Sequence, residues 1–235
     1  MHTEDVTAFA GMTTKLLLLL SCLSNAFWVR AAMPPTTASE TTITSDELEI
    51  LDNGAQTVFT GHVVLTQDPY QLFADRMTQI KATGIVEAKG HIRGTWKGDK
   101  GERSVATGAN ARYTPAEKVT ELWGDALLTR WETAADTQPV TVTADHFTAY
   151  DQDHTVHAQG HVVMQQPPGL RTLSDEAKYD RTTETIALWG AHPVQVHWED
   201  VKGAGDFEGE RAWLVVSPKR AKLEHNVHGH VVPSS

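Results

Sequence analysis

The feature that most limits what this chain can become is a unit that returns along it, clearest from Thr143 to Met164, TADHFTAYDQDHTVHAQGHVVM. With Gly160 as zero, positions −4, −2, +2 and +4 are Val156, Ala158, Val162 and Met164, while His157, Gln159, His161 and Val163 fill the odd positions. A period of two marks a half-buried strand, because successive Cβ atoms point to opposite faces of a sheet. The unit therefore reads as two strands, one from Asp145 to Tyr150 and one through Gly160. The polar turn Asp151-Gln152-Asp153 joins them, its carboxylates suited to nearby backbone donors. A glycine inside a strand signals a bulge or bend where the sheet curves.

The same frame fits elsewhere. Its even positions are Thr57, Phe59, Val63 and Leu65 around Gly61, and Val86, Ala88, Ile92 and Gly94 around Gly90. Around Gly124 they are Thr120, Leu122, Ala126 and Leu128, and around Gly190 they are Ile186, Leu188, His192 and Val194. Asp46, Asp75, Asp145 and Asp175 each lie fifteen residues before their glycine; in the Gly124 copy Ala109 holds that place. Alternation alone does not require a fixed Asp-to-Gly interval, so the interval argues for a true tandem repeat. A sixth, eroded copy is expected from Arg211 to Val231, with Asn226 in place of the glycine. No stretch shows a helical period, and the chain is expected to be all-β.

Composition supports one continuous β body. Apolar residues make up 40% and aromatics only 7%, enough for a core but not a thick one. The net charge of −10 argues against a nucleic-acid partner, which would need a basic surface. The basic spots Lys97 to Arg103 and Lys219 to Lys222 read as solvated loops or charge-guarded edges.

Residues 1–32 read as a secretory signal peptide: Lys15, a short apolar run from Leu16, then small residues up to Ala32. The alternatives are a retained anchor, for which Leu16 to Val29 is short of the roughly 20 residues a spanning helix needs, and lipidation at Cys22, the single cysteine. Residues 33–42 form a flexible Pro/Thr/Ser linker, 43–232 the β domain, and 233–235 a tail. Thr95 to Ser104, Glu132 to Pro139, Gln165 to Gly169 and Lys202 to Gly209 are expected to be loops.

Catalytic and metal signatures are sparse. His225, His228 and His230 invite a metal reading, but no cysteine or carboxylate pair completes a zinc-type set, and no metal or other cofactor is expected. His62, His91 and His161 each follow a unit glycine at an outward position, a property of the repeat more than of catalysis. Trp96, Trp123, Trp131, Trp189, Trp198 and Trp213 suit strand pairs or the ends of the fold; the rival reading is stacking on sugar rings. No nucleophile elbow, paired-acid motif or phosphate loop is visible, and an enzyme is not expected.

Ile43-Thr-Ser-Asp46-Glu-Leu-Glu-Ile50, Val58-Phe-Thr-Gly61-His-Val-Val-Leu65, Phe73-Ala-Asp75, and the return from Val142 to Met164 carry a resemblance. The chain resembles the periplasmic lipopolysaccharide transport protein A (OstA-like) family from about Ile43 to Val232. The resemblance implies an open, twisted, taco-like β-jellyroll of stacked antiparallel strands, here from about six tandem hairpin repeats. It also implies passage of lipopolysaccharide along the interior, head-to-tail pairing with further copies, and partners among inner- and outer-membrane transport components (LptC-like and LptD-like). The alternatives are the membrane-anchored sister component of the same bridge, and an exported carbohydrate-binding or structural β-repeat protein.

If the two halves of such a sheet splay, the even-numbered side chains line an apolar trough. Phe59, Val63, Leu65, Ile92, Leu122, Leu128, Val156, Val162, Met164, Ile186, Leu188 and Val194 are the expected lipid-binding wall. The oligomerisation edges are expected at Ile43, Leu48 and Ile50 at one end and Leu223, Val227 and Val231 at the other, because end strands carry unpaired backbone groups.

Overall fold

The structure, a computed structural model, describes residues 41–235 except 99–100, 132, 134, 136, 202, 216–219 and 234–235. The expected signal peptide, the possible lipidation site at Cys22 and most of the linker lie outside the described residues.

Alternating sequences of this length make long strands, and fourteen are found, in chain order β1 (Thr42–Thr44), β2 (Glu47–Leu51), β3 (Gln56–Gln67), β4 (Tyr70–Ile80), β5 (Val86–Lys97), β6 (Arg103–Thr114), β7 (Val119–Trp131), β8 (Val140–Tyr150), β9 (Thr155–Gln166), β10 (Leu170–Asp180), β11 (Thr185–Asp200), β12 (Gly203–Val215), β13 (Arg220–Glu224) and β14 (His228–Pro233). Among the described residues the one helical element is a 3-10 turn at Asp52–Gly54. All fourteen strands belong to a single sheet, antiparallel throughout, in which β3 to β12 follow in sequence order. At one end β1 and β2 both pair with β3; at the other β13 and β14 both pair with β12. The two ends do not pair with each other, so the sheet is open rather than a closed barrel.

A single sheet with one apolar face has no second layer to cover it and must fold over on itself to exclude water. The glycines provide the bend. At the Gly61-His62 step two residues of β3 oppose one of β4, Asp75, the register of a β-bulge. Such shifts recur at every pairing from β3–β4 to β11–β12. The face pointing inward is continuous across the bulge. Phe59 before it and Val63 and Leu65 after it belong to one core that also holds Leu122, Phe147, Leu188 and Val194.

Cross-strand rows organise this interior. One row runs Leu65–Leu72–Gly94–Ala106–Leu128–Val142–Met164–Thr172–Val196. On the other side of the bulge a second runs Phe59–Met77–Ala88–Ala111–Leu122–Phe147–Ala158–Ala177–Leu188–Ala212–Leu223. Alanine recurs through the second row, and Gly94 and Ala106 are the small residues of the first.

Several boundaries differ from the sequence reading. The unit's first strand begins at Val140, upstream of Asp145, because pairing continues past the bulge on the partner strand. Thr95 to Lys97 continue β5, Arg103 and Ser104 open β6, and most of the expected loop from Lys202 to Gly209 is strand β12. In each case ladder hydrogen bonds overrode Gly- and charge-rich composition. The sixth copy is shifted by one residue. His225 and Asn226, at φ 61° and 48°, take the places of the glycine and of the histidine after it, and there the strand breaks into β13 and β14.

Truncation should separate the inner face from the edge. Leu188→Ala, fully buried in the second row, is expected to lower stability by about 2–5 kcal/mol. Ile50→Ala, 63% exposed on the edge strand β2, should change it by about 0.5 kcal/mol or less. Urea denaturation of the two variants checks both figures.

Candidate functional site

Two features repeat along the sheet, an apolar inner wall and an outer row of acid–histidine pairs at the bends. All twelve residues expected to line the wall are buried in the one core, from Leu188 and Val194 at 0% exposed to Ile186 at 7%. They are brought together as an interior, but that interior is sealed. A splayed, accessible trough was the expectation; in the structure these side chains are covered. His192, assigned to the inner face by its even position, lies outside. The reason is that six residue steps of β11, from Trp189 to Gln195, span three of β10, so the wider bulge breaks the alternation.

The residues expected at the edges are where the sheet stops. Leu48 and Ile50 on β2 are 47% and 63% exposed although they continue inner-face rows beyond Phe59 and Thr57. Val227 and Val231 are exposed at the far end, whereas Ile43 and Leu223 are partly buried against the core.

At the bends the fixed interval acquires a cause. His62 Nδ1 lies 2.7 Å from Asp46 Oδ2, His91 Nδ1 2.8 Å from Asp75 Oδ2, and His161 Nδ1 2.9 Å from Asp145 Oδ2. Each pair is sixteen residues apart in the chain. In the fifth copy His192 reaches Asp175 through both its ring, at 3.1 Å, and its backbone N–H, which donates to Oδ2 at 2.9 Å. The Gly61, Gly90 and Gly160 positions have φ near +75°, with the following histidine also left-handed at 45–47°. The aspartate lies over the glycine: a Cβ added at Gly90 would come 2.1 Å from Asp75 Oδ2. Glycine, aspartate and histidine are thus one device, a bulge closed by a side-chain bond on the convex surface.

The irregular copies support this. Around Gly124 the aspartate is Ala109 and the histidine is Asp125, so both halves of the pair are replaced together while the bulge persists, with φ +80° at Gly124. In the sixth copy Asn226 donates to Glu210, again sixteen residues apart, an amide and a glutamate in the roles of histidine and aspartate. The sequence showed the interval and the outward histidines separately. What was missed was that the histidine following Gly61, Gly90 and Gly160 bonds the aspartate that sets the interval.

The pairs are open to water, with His62, His91 and His161 side chains 91% exposed. At His62 the hydrogen bond and charge of Asp46 raise the imidazole pKa above its ordinary 6.5, against a small desolvation effect and with help from the charge of Asp75. The Asp175 pKa is lowered from 3.8, chiefly by the His192 backbone N–H and then by its ring. Among the described residues no group of three or more metal-ligating side chains is gathered. Of the tryptophans, Trp96 is buried at the end of the inner face, Trp123 stacks on His146 and Trp213 donates to Glu224.

Residues 42–139 match the family model described as LptA/(LptD N-terminal domain) LPS transport protein. Among solved structures the chain is similar to LptH, the LptA homologous periplasmic component of the lipopolysaccharide transport device from Pseudomonas aeruginosa. The identity is 16%, the match covers 65% of this chain and 84% of that one, and the TM-score is 0.32. No curated protein matches significantly.

The bend device has two tests. A histidine whose folded-state pKa is raised contributes stability that is fully present below its unfolded value and lost as pH rises through the folded one. The His62 ring should therefore titrate above 6.5 by NMR, and Asp46→Asn should bring it back towards that value. For Asp175, lowered in the fold, the contribution is present above its unfolded value and is lost as pH falls through the folded one. Gly90→Ala, which needs a left-handed alanine against Asp75, is expected to cost about 1–3 kcal/mol by urea denaturation.

Proposed function

We propose that this chain, whose residues 42–139 match the LptA/(LptD N-terminal domain) LPS transport protein model, is a periplasmic component of lipopolysaccharide transport that takes acyl chains against its inner face and hands them along the sheet. The observation that carries this reading is the continuity of that face. From β3 to β12 the strands contribute apolar side chains to one core that runs across every bulge, with Arg130 near the end of β7 the buried charged residue among those described.

Each methylene taken from water contributes about 0.8 kcal/mol, so even a shallow wall holds several long chains. The wall is built largely of Ala, Val and Leu repeated in rows, and its side chains offer similar surface at each step, which suits sliding more than fixed binding. Entry requires the facing halves to part, replacing protein–protein contacts with protein–lipid contacts of the same apolar kind. Parting about the row of bends changes each strand at a place already irregular, without breaking the ladders on either side.

The proposal extends to assembly. Leu48 and Ile50 at one edge and Val231 and Val232 at the other are exposed apolar residues on strands paired on one side only, and exposed Val227 precedes the last of these strands. Adding the terminal strand of another copy, or of an inner- or outer-membrane partner of related fold, would cover them and join one inner face to the next.

Photo-crosslinking residues placed at Val63, Leu128 and Met164 in the cell should label lipopolysaccharide from inside the sheet. Labelling at none of the three, in protein that is exported and folded, refutes the conduit. Co-purification with a glycan lacking acyl chains would favour the carbohydrate-binding alternative.

A further inference from the structure

The inner wall departs from its own repeat at one strand. Two inward places lie one and three residues before the position of the unit aspartate. In the copies carried by β4, β6 and β8 they hold Leu72 and Ala74, Ala106 and Gly108, and Val142 and Ala144, none with a polar side chain. In β10 both places carry hydroxyls at once, Thr172 and Ser174. Their cross-strand partners put them on the inward side: Thr172 lies between Met164 and Val196, and Ser174 beside Val162, all three members of the core. Thr172 is 0% exposed and Ser174 9%.

Neither Thr172 Oγ1 nor Ser174 Oγ has a hydrogen-bond partner. A hydroxyl taken out of water and left unpaired costs stability, which is why buried polar groups are nearly always paired. The opening copy supplies the contrast. There Ser45 stands next to Asp46, and its hydroxyl donates to the Glu47 carbonyl at 2.9 Å, in an exposed break between β1 and β2. Ser174 sits inside a continuous ladder and finds no such acceptor. Residues two apart on a strand are about 7 Å apart and share a face, so one extended chain lying along β10 meets both hydroxyls. Each of them both donates and accepts, and neither carries charge, so the group that complements them is itself a neutral donor and acceptor.

We propose that Thr172 and Ser174 form a polar notch in the inner wall that holds a hydroxyl carried on an acyl chain. The ligand hydroxyl donates to one of them and accepts from the other, and all three groups gain partners. Against hydrocarbon alone a chain hydroxyl is a penalty, because it leaves water and meets nothing. At β10 it becomes an advantage. One strand of an otherwise even wall is thus a stopping place for hydroxylated chains and for no others. The proposal rests on the conduit reading and adds to it a class of acyl chain.

The test compares a straight saturated fatty acid with the same acid bearing one hydroxyl near its carboxylate, each below its micelle-forming concentration. Binding to the full-length chain is read by displacement of a fluorescent fatty acid. Wild-type protein should prefer the hydroxylated acid by about 3-fold to 30-fold, the range for one or two neutral hydrogen bonds. In the double variant Thr172→Val with Ser174→Ala the preference should reverse, the plain acid binding more tightly. Thr172→Ser keeps the hydroxyl and should keep the preference. The protein without lipid gives an independent reading: because the hydroxyls are unpaired there, the double variant should unfold at a higher urea concentration than wild type. A lower one marks hydroxyls already satisfied within the fold, by water or backbone, and overturns the notch. Equal affinity of wild-type protein for the two acids, tighter binding of the plain one, or a preference for the hydroxylated acid that survives in the double variant also overturns it and leaves the conduit standing. Failure of wild-type protein to bind either acid overturns both.

Discussion

Covering one face of a single sheet is the constraint from which this molecule follows. Among the described residues there is no α-helix and no second sheet to shield the apolar side chains of the fourteen strands, and exposing them to water would cost more than any set of surface bonds returns. Each long strand therefore bends part-way along, so that its two halves face each other. A bend in a ladder leaves an extra residue, and at Gly61, Gly90, Gly124 and Gly160 the glycine and the residue after it both take left-handed conformations. At Gly61, Gly90 and Gly160 an aspartate laid over the glycine ties the bend shut from outside. The fixed interval in the sequence is the trace of this need, repeated once for every two strands.

Much of this could be read before the fold was known. The parity of Phe59, Val63 and Leu65 about Gly61, and of their counterparts in the other copies, assigned the inner face correctly because a period of two survives a bulge that adds one residue to one strand. It failed at His192, where the bulge is wider and the alternation is lost. It also failed at the last copy, where Asn226 was given the role of the glycine although it plays the part of the histidine. Composition misplaced the loops at Thr95 and at Lys202 because glycine and charge are weak evidence against pairing when a long neighbouring strand is waiting.

Arg130 shows a different kind of blindness. The repeat frame, carried two residues further than Leu128, puts it on the inner face beside Trp96 and Gln67, which hold the same place in their own copies. An arginine at the end of a strand is ordinarily read as solvated, and only the structure shows how little of it water reaches. The same frame thus contained both the greasy wall and its polar margin. Where an arginine in an apolar frame lands, inside or out, depends on how far the sheet's folded halves extend, and that is a property of the whole assembly of strands.

The pairing order has a consequence of its own. Every strand from β3 to β12 touches its immediate predecessor and successor, and nothing in the ladder waits for a distant part of the chain. A polypeptide delivered end first can close its hairpins one after another as each emerges, every finished one serving as the template for the next. Such a molecule never needs its two termini at the same moment, and the template left over when the last hairpin closes is itself a growing point on which a separate chain can continue the same zipper.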